Sequence, residues 1–115
     1  MTFTIYRVKM LIRKDVFYVD KLHNESTDML FESILTLQNI DECYAFFEDI
    51  CTIKEIQDMS QRLEVAIMLR KGLNYQDISA QTGVSTATIS RVSKCLNYGS
   101  GGYNAAIDKL EKAGK

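Results

Sequence analysis

Apolar side chains recur at helical spacing along most of this chain, and the most informative run extends from Tyr75 to Leu96. Ile78 and Ser79 fall on the inner side of a short first helix. Gly83 follows where the chain must turn sharply, and glycine reaches positive φ there without steric cost. Val84 packs into the corner. Ser85 or Thr86 caps a second helix by accepting a backbone N–H at its open end. Ile89 and Val92 then return at helical spacing and bury against the first helix. Residues 75–96 therefore predict a helix-turn-helix. The side of its second helix left outward carries Thr86, Ala87, Thr88, Ser90, Arg91 and Lys94.

The same periodicity predicts helices before and after this unit. Ser26 or Thr27 should cap a helix reaching about Asn39, with a broad apolar surface from Met29, Leu30, Phe31, Ile34, Leu35 and Leu37. Asp41 should cap the next, which carries Cys43, Tyr44, Phe46, Phe47 and Ile50. Both are more apolar than one small subunit needs, which predicts burial by helices of a second copy and hence a homodimer. Thr52 with Glu55 forms a capping box, since each side chain reaches the other's backbone amide. A longer helix should follow over about Ile53 to Lys71, with a break near Ser60. Its buried side is Leu63, Ala66, Ile67 and Leu69, and Gly72 is its stop. After Leu96, Asn97 to Gly102 reads as a flexible turn. Asn104 should cap a last helix with Ala105, Ala106, Ile107 and Leu110 inward. Residues 1–22 differ: Phe3, Ile5, Val8, Met10 and Ile12 alternate loosely, predicting a short extended arm, possible strand, that needs a partner strand. The expected organisation is thus an arm over 1–22 and an all-α domain over 23–115.

Charge changes the picture. The net formal charge is −1, which by itself gives no reason to expect nucleic acid. Its distribution does. From Asp20 to Asp58 there are ten acids and two lysines, whereas from Gln61 to Lys115 there are eight cations and four acids. The helix-turn-helix sits in the positive part, and no carboxylate interrupts it between Gln81 and Tyr103. Small hydroxyl and methyl groups with two cations are a set that can approach base edges and phosphates in a major groove.

Other chemistry is sparse. Cys43, Cys51 and Cys95 are odd in number and widely spaced, which fits buried thiols in a reduced, cytoplasmic protein. No Cys-x-x-Cys pair or nearby histidine suggests zinc. His23, the single histidine, lies in a predicted loop. No apolar run approaches a membrane span, and the start lacks the apolar block of a signal peptide. Paired carboxylates and a nucleophile with a base are absent from the sequence pattern, so no enzyme is expected. A helix-turn-helix used to dock a protein partner, without specific DNA binding, is the alternative.

Three segments, Thr52-Ile-Lys-Glu-Ile with Arg62, Leu69-Arg70-Lys71-Gly72, and Ala87-Thr88-Ile89-Ser90-Arg91, resemble the tryptophan repressor family, in particular its small relatives from Gram-positive bacteria. The resemblance covers about Thr27 to Leu110 and is firmest over Thr52 to Leu96. It implies an all-helical, interlocked homodimer whose Ser85–Leu96 helix reads a palindromic operator, as a repressor. It implies that Thr86, Ala87, Thr88 and Ser90 face the operator. From the residues themselves, Arg91 and Lys94, with Arg70 or Lys71, are expected to neutralise phosphates. It also implies an amino-acid or indole-type corepressor held beside the recognition helix by Arg62 and Arg91, with Thr52 and Cys95 at the matching flanking positions. Two positions depart from the family. Val92 stands where its repressor has a glycine beside the indole, and the branched side chain narrows that slot. Cys95 stands where it has a serine, and a thiol is a poor hydrogen-bond partner.

Overall fold

The computed structural model describes Leu22–Lys115, and the described residues form helices alone: α1 (Glu25–Leu35), α2 (Ile40–Ile50), α3 (Ile53–Arg70), α4 (Tyr75–Thr82), α5 (Thr86–Tyr98) and α6 (Gly102–Lys112). The expected N-terminal arm lies outside the described residues. The chain divides into two compact units, one ending at Phe47 and one spanning Glu48–Lys115.

In the first unit, Asn24 caps α1 by accepting the Thr27 N–H at 2.9 Å, so the helix starts before the expected Ser26 or Thr27. It also stops at Leu35, short of Asn39. The Thr36 hydroxyl donates to the Ser33 carbonyl at 2.6 Å, closing the last turn locally. Asn39, not Asp41, opens α2: its side chain accepts the Glu42 N–H at 2.9 Å. An Asx oxygen three residues ahead of an amide meets it without strain, and these two asparagines stand at that offset. The Phe46 and Phe47 rings meet edge to face at 5.5 Å. Neither α1 nor α2 contains a buried residue, and Phe31, Leu35, Ile40 and Tyr44 are all more than half exposed.

The second unit has the core. Val65 and Ala66 of α3, Ile78 of α4, Val84 of the turn, Ile89 and Val92 of α5 and Ile107 of α6 are buried together. Leu63, Ile67, Met68, Leu69, Leu73, Leu96 and Tyr103 pack around them. Helix α3 therefore presents one side to α4, α5 and α6. Its start is the capping box: the Thr52 hydroxyl accepts the Glu55 N–H at 3.1 Å while Glu55 Oε1 accepts the Thr52 N–H at 2.8 Å. No break occurs at Ser60, because its hydroxyl donates back to the Ile56 carbonyl at 2.9 Å and the ladder continues. At the far end Gly72 N–H reaches the Leu69 carbonyl and Leu73 N–H the Met68 carbonyl, the paired bonds of a Schellman stop.

The last helix departs most from expectation. Gly101 stands at its N-cap without a side-chain cap, and Asn104 is already inside the helix. The Asn104 amide instead donates to the Leu96 carbonyl of α5 at 3.0 Å. Of the four residues expected inward, Ile107 alone is buried; Ala105, Ala106 and Leu110 are exposed.

Candidate nucleic-acid interface

The turn between α4 and α5 is three residues long, and local chemistry fixes each of them. Gly83 adopts φ +75°, a left-handed conformation that costs an L side chain about 1–2 kcal/mol. Its N–H closes on the Ser79 carbonyl at 2.8 Å. The Thr82 hydroxyl donates to the Ile78 carbonyl at 2.7 Å and accepts the Val84 N–H at 3.1 Å, so the amide of the turn's apolar residue is satisfied. Val84 drives into the core. Ser85 then caps α5, accepting the Thr88 N–H at 3.2 Å. Asn74 does the same for α4 through the Asp77 N–H at 2.8 Å.

Helix α5 is thereby held by Ile89 and Val92 underneath, with its other side outward. Thr86, Ala87, Ser90, Arg91 and Lys94 are exposed and Thr88 is half-buried. The first turn of α5 contains no acid. Arg91 Nη2 donates to Thr88 Oγ1 at 3.2 Å, one turn back on its own helix. Arg70 is not free for phosphate: its guanidinium donates to the Asn104 carbonyl at 3.1 Å and to Asp108 at 2.7 Å, with Glu111 at 3.6 Å. Lys71 is exposed at the end of α3.

Beside this face lies a cleft of about 620 Å³ between α3, α5 and α6. Lys54, Asp58, Gln61 and Arg62 line it from α3, Val84 and Ser85 from the turn, Thr88, Arg91, Val92 and Cys95 from α5, and Tyr103 from α6. The sequence-predicted Arg62, Arg91 and Cys95 thus come together in one cleft. Thr52 does not join them; it lies at the start of α3, its hydroxyl occupied by the cap. Val92 is a floor residue, 2% exposed. Asp58 is paired with Lys54 at 3.2 Å. Arg62 has no such partner among the described residues.

Sequence reasoning missed Lys54, Asp58, Gln61 and Tyr103. The first three carry a signal that was legible: with Arg62 they recur at the spacing of one α3 face. Tyr103 had none, because its place depends on how α6 folds back. The thiols also differ from expectation. Cys95 is exposed, and Cys43 of α2 and Cys51 of the α2–α3 connection are half-buried. Among the described residues, no three or more of His, Cys, Asp and Glu gather as a metal site, and no helix is long and apolar enough to cross a membrane.

Comparison with known proteins gives a consistent answer. A family model described as Trp repressor protein matches residues 25–111. The uncharacterized protein YerC of Bacillus subtilis (strain 168) is 55% identical over 94 residues, which are 82% of this chain and 90% of that protein. A solved structure of a TrpR like protein from Eubacterium eligens superposes with a TM-score of 0.77 at 53% identity, covering 79% of this chain and 94% of the other. A second, from Staphylococcus aureus, gives a TM-score of 0.77 at 47% identity over 82% and 94%.

Proposed function

This chain belongs to the Trp repressor family of helix-turn-helix DNA-binding regulators, and from that premise we propose that it is a cytoplasmic transcriptional repressor that binds a palindromic operator as a homodimer. One observation carries the reading: α5 presents Thr86, Ala87, Ser90, Arg91 and Lys94 clear of the protein, without a carboxylate, on a turn whose every residue is structurally committed. Thr88 and Ser90 supply hydroxyls for base edges, Ala87 a methyl contact for thymine, and Arg91 and Lys94 charge for phosphates.

The dimer is supported by the apolar surface of α1 and α2. Two helices without a single buried residue, bearing Phe31, Leu35, Ile40 and Tyr44 more than half exposed, leave an area that a second copy would cover. Two recognition helices would then sit about 34 Å apart, one duplex turn, and enter successive major grooves. The cleft beside α5, with Arg62, Arg91 and Cys95 in its wall, is the place for a small-molecule effector. An amino-acid or indole-type corepressor is the family's form of such control, and Thr52 would act on it only indirectly, as the cap of α3.

The test is sequence selection from a random duplex pool, followed by anisotropy titration of the winning sequence against salt. A saturable, sequence-dependent complex is expected. Four phosphate contacts, from Arg91 and Lys94 on two subunits, give a slope of about −3.6 in log affinity against log salt. Thr88→Ala should relax sequence preference and Lys94→Glu should abolish binding. A dimer that shows no preference among duplexes at low salt would sink the proposal.

A further inference from the structure

From Leu22 to Phe47 the chain carries five carboxylates and no lysine or arginine. Two of the five stand out in α1. Asp28 and Glu32 lie one turn apart on the same side of the helix and are half-buried. Each keeps one carboxylate oxygen, Asp28 Oδ2 and Glu32 Oε2, shielded from solvent with no hydrogen-bond partner among the described residues. Shielded carboxylate oxygens ordinarily accept such bonds, because losing water without a replacement donor is costly. The positive N-terminal end of α1 compensates Asp28, which lies in the first turn. It does nothing for Glu32, which lies in the last turn, where the helix dipole is negative. Neither α1 nor α2 has a cation in its last turn, the place where one is favourable. The donors that these carboxylates lack must come from elsewhere.

Residues 1–21 have them: five cations against two acids, with Arg13 and Lys14 side by side. Lys14 stands ten residues before the Asn24 cap of α1, a reach of up to about 33 Å. Glu32 stands eight residues beyond that cap, about 12 Å along the helix. A short tether of this kind holds the segment at an effective concentration in the millimolar range, so that pairs too weak to form between separate molecules become populated. Met29, beside the two carboxylates and 56% exposed, offers apolar surface to Val8, Met10 and Ile12. We propose that residues 1–21 dock on the α1 helix of their own chain, with Arg13 and Lys14 paired to Asp28 and Glu32. The docking covers the acidic strip alone. Phe31 stands about 100° round α1 from Glu32, and with Ile40 and Tyr44 of α2 it stays available to a second copy. The docking holds whether or not α5 reads DNA.

Timed trypsin digestion of the full chain, without DNA, reads the docking at Arg13 and Lys14. Asp28→Asn combined with Glu32→Gln removes two partly exposed ion pairs and should speed cleavage there about fivefold. Cleavage at the exposed Lys109 and Lys112 of α6 should keep its wild-type rate. A zero-length carbodiimide, which joins a lysine amine to a carboxylate in contact with it, needs no variant. On wild-type protein mixed from isotopically heavy and light copies, it should join Lys14 to Asp28 or Glu32 within one chain. Equal cleavage rates in variant and wild type would overturn the proposal, as would cross-links between copies alone or none from Lys14 to α1. So would protection of Arg13 and Lys14 that appears only when duplex DNA is added, since the segment would then be a DNA contact instead.

Discussion

Asn104 and Arg70 form a latch that holds the end of the recognition helix, and its strength can be worked out from the contacts. The Asn104 amide donates to the Leu96 carbonyl at 3.0 Å. Leu96 lies in the last turn of α5, where carbonyls lack helical partners. Arg70 in turn donates to the Asn104 carbonyl at 3.1 Å and contacts its side-chain oxygen at 3.5 Å. Asn104→Ala removes a neutral hydrogen bond that is only half-buried, together with the long 3.5 Å contact from Arg70, so water recovers part of the loss. The cost should be about 1 kcal/mol. Arg70→Ala removes a charge-assisted bond to Asp108 at 2.7 Å. Asp108 is more than half exposed, so that pair contributes at the low end, and with the bond to Asn104 the total should be about 1–2 kcal/mol. The two residues touch, so the double variant should lose less than the sum, by about 0.5 kcal/mol or more. Urea unfolding of the wild type, both single variants and the double, at equal m-values, measures all three quantities. Strict additivity, or an Asn104→Ala loss below about 0.3 kcal/mol, would refute the latch.

Three further outcomes test the rest of the second unit. Gly99→Ala should lower stability by about 1–3 kcal/mol in thermal unfolding, because an added Cβ would stand 2.5 Å from the Cys95 carbonyl oxygen, which is backbone and cannot move aside. Ile89→Ala should cost about 2–5 kcal/mol, since the side chain is fully buried among α3, α4 and α6; a loss under 1 kcal/mol by denaturant titration would mean the core is wrongly drawn. Thr52→Ala should cost about 0.5–2 kcal/mol by breaking the capping box, while leaving calorimetric binding in the cleft within twofold, because Thr52 does not line it.

Much of this molecule was legible from local pattern. The helix-turn-helix was, because its signals are short-range: Ser85 or Thr86 at the second cap, Gly83 at positive φ, Ile78, Ile89 and Val92 at helical spacing, though the Asn74 cap of α4 was not read. The capping box at Thr52 and Glu55 was equally plain, since both partners lie within one turn. Helix boundaries in the first unit were not, because several polar residues there could each serve as a cap, and Asn24 and Asn39 prevailed over Ser26 and Asp41 only through their geometry. Asn104 misled for a similar reason. Its side chain suits a cap, yet a carbonyl eight residues earlier claims it.

Helix phases, caps, the sharp turn and the outward character of α5 are thus settled among neighbouring residues. Which distant groups share a space is set by the packing of the helices. It placed Tyr103 with Arg62 and Arg91 in one cleft, committed Arg70 to Asp108 instead of phosphate, and left Cys95 exposed. The physical reason is range. A cap or a helical repeat is settled within a few residues, whereas the wall of a cleft depends on how three helices cross, and that depends on the whole buried core at once.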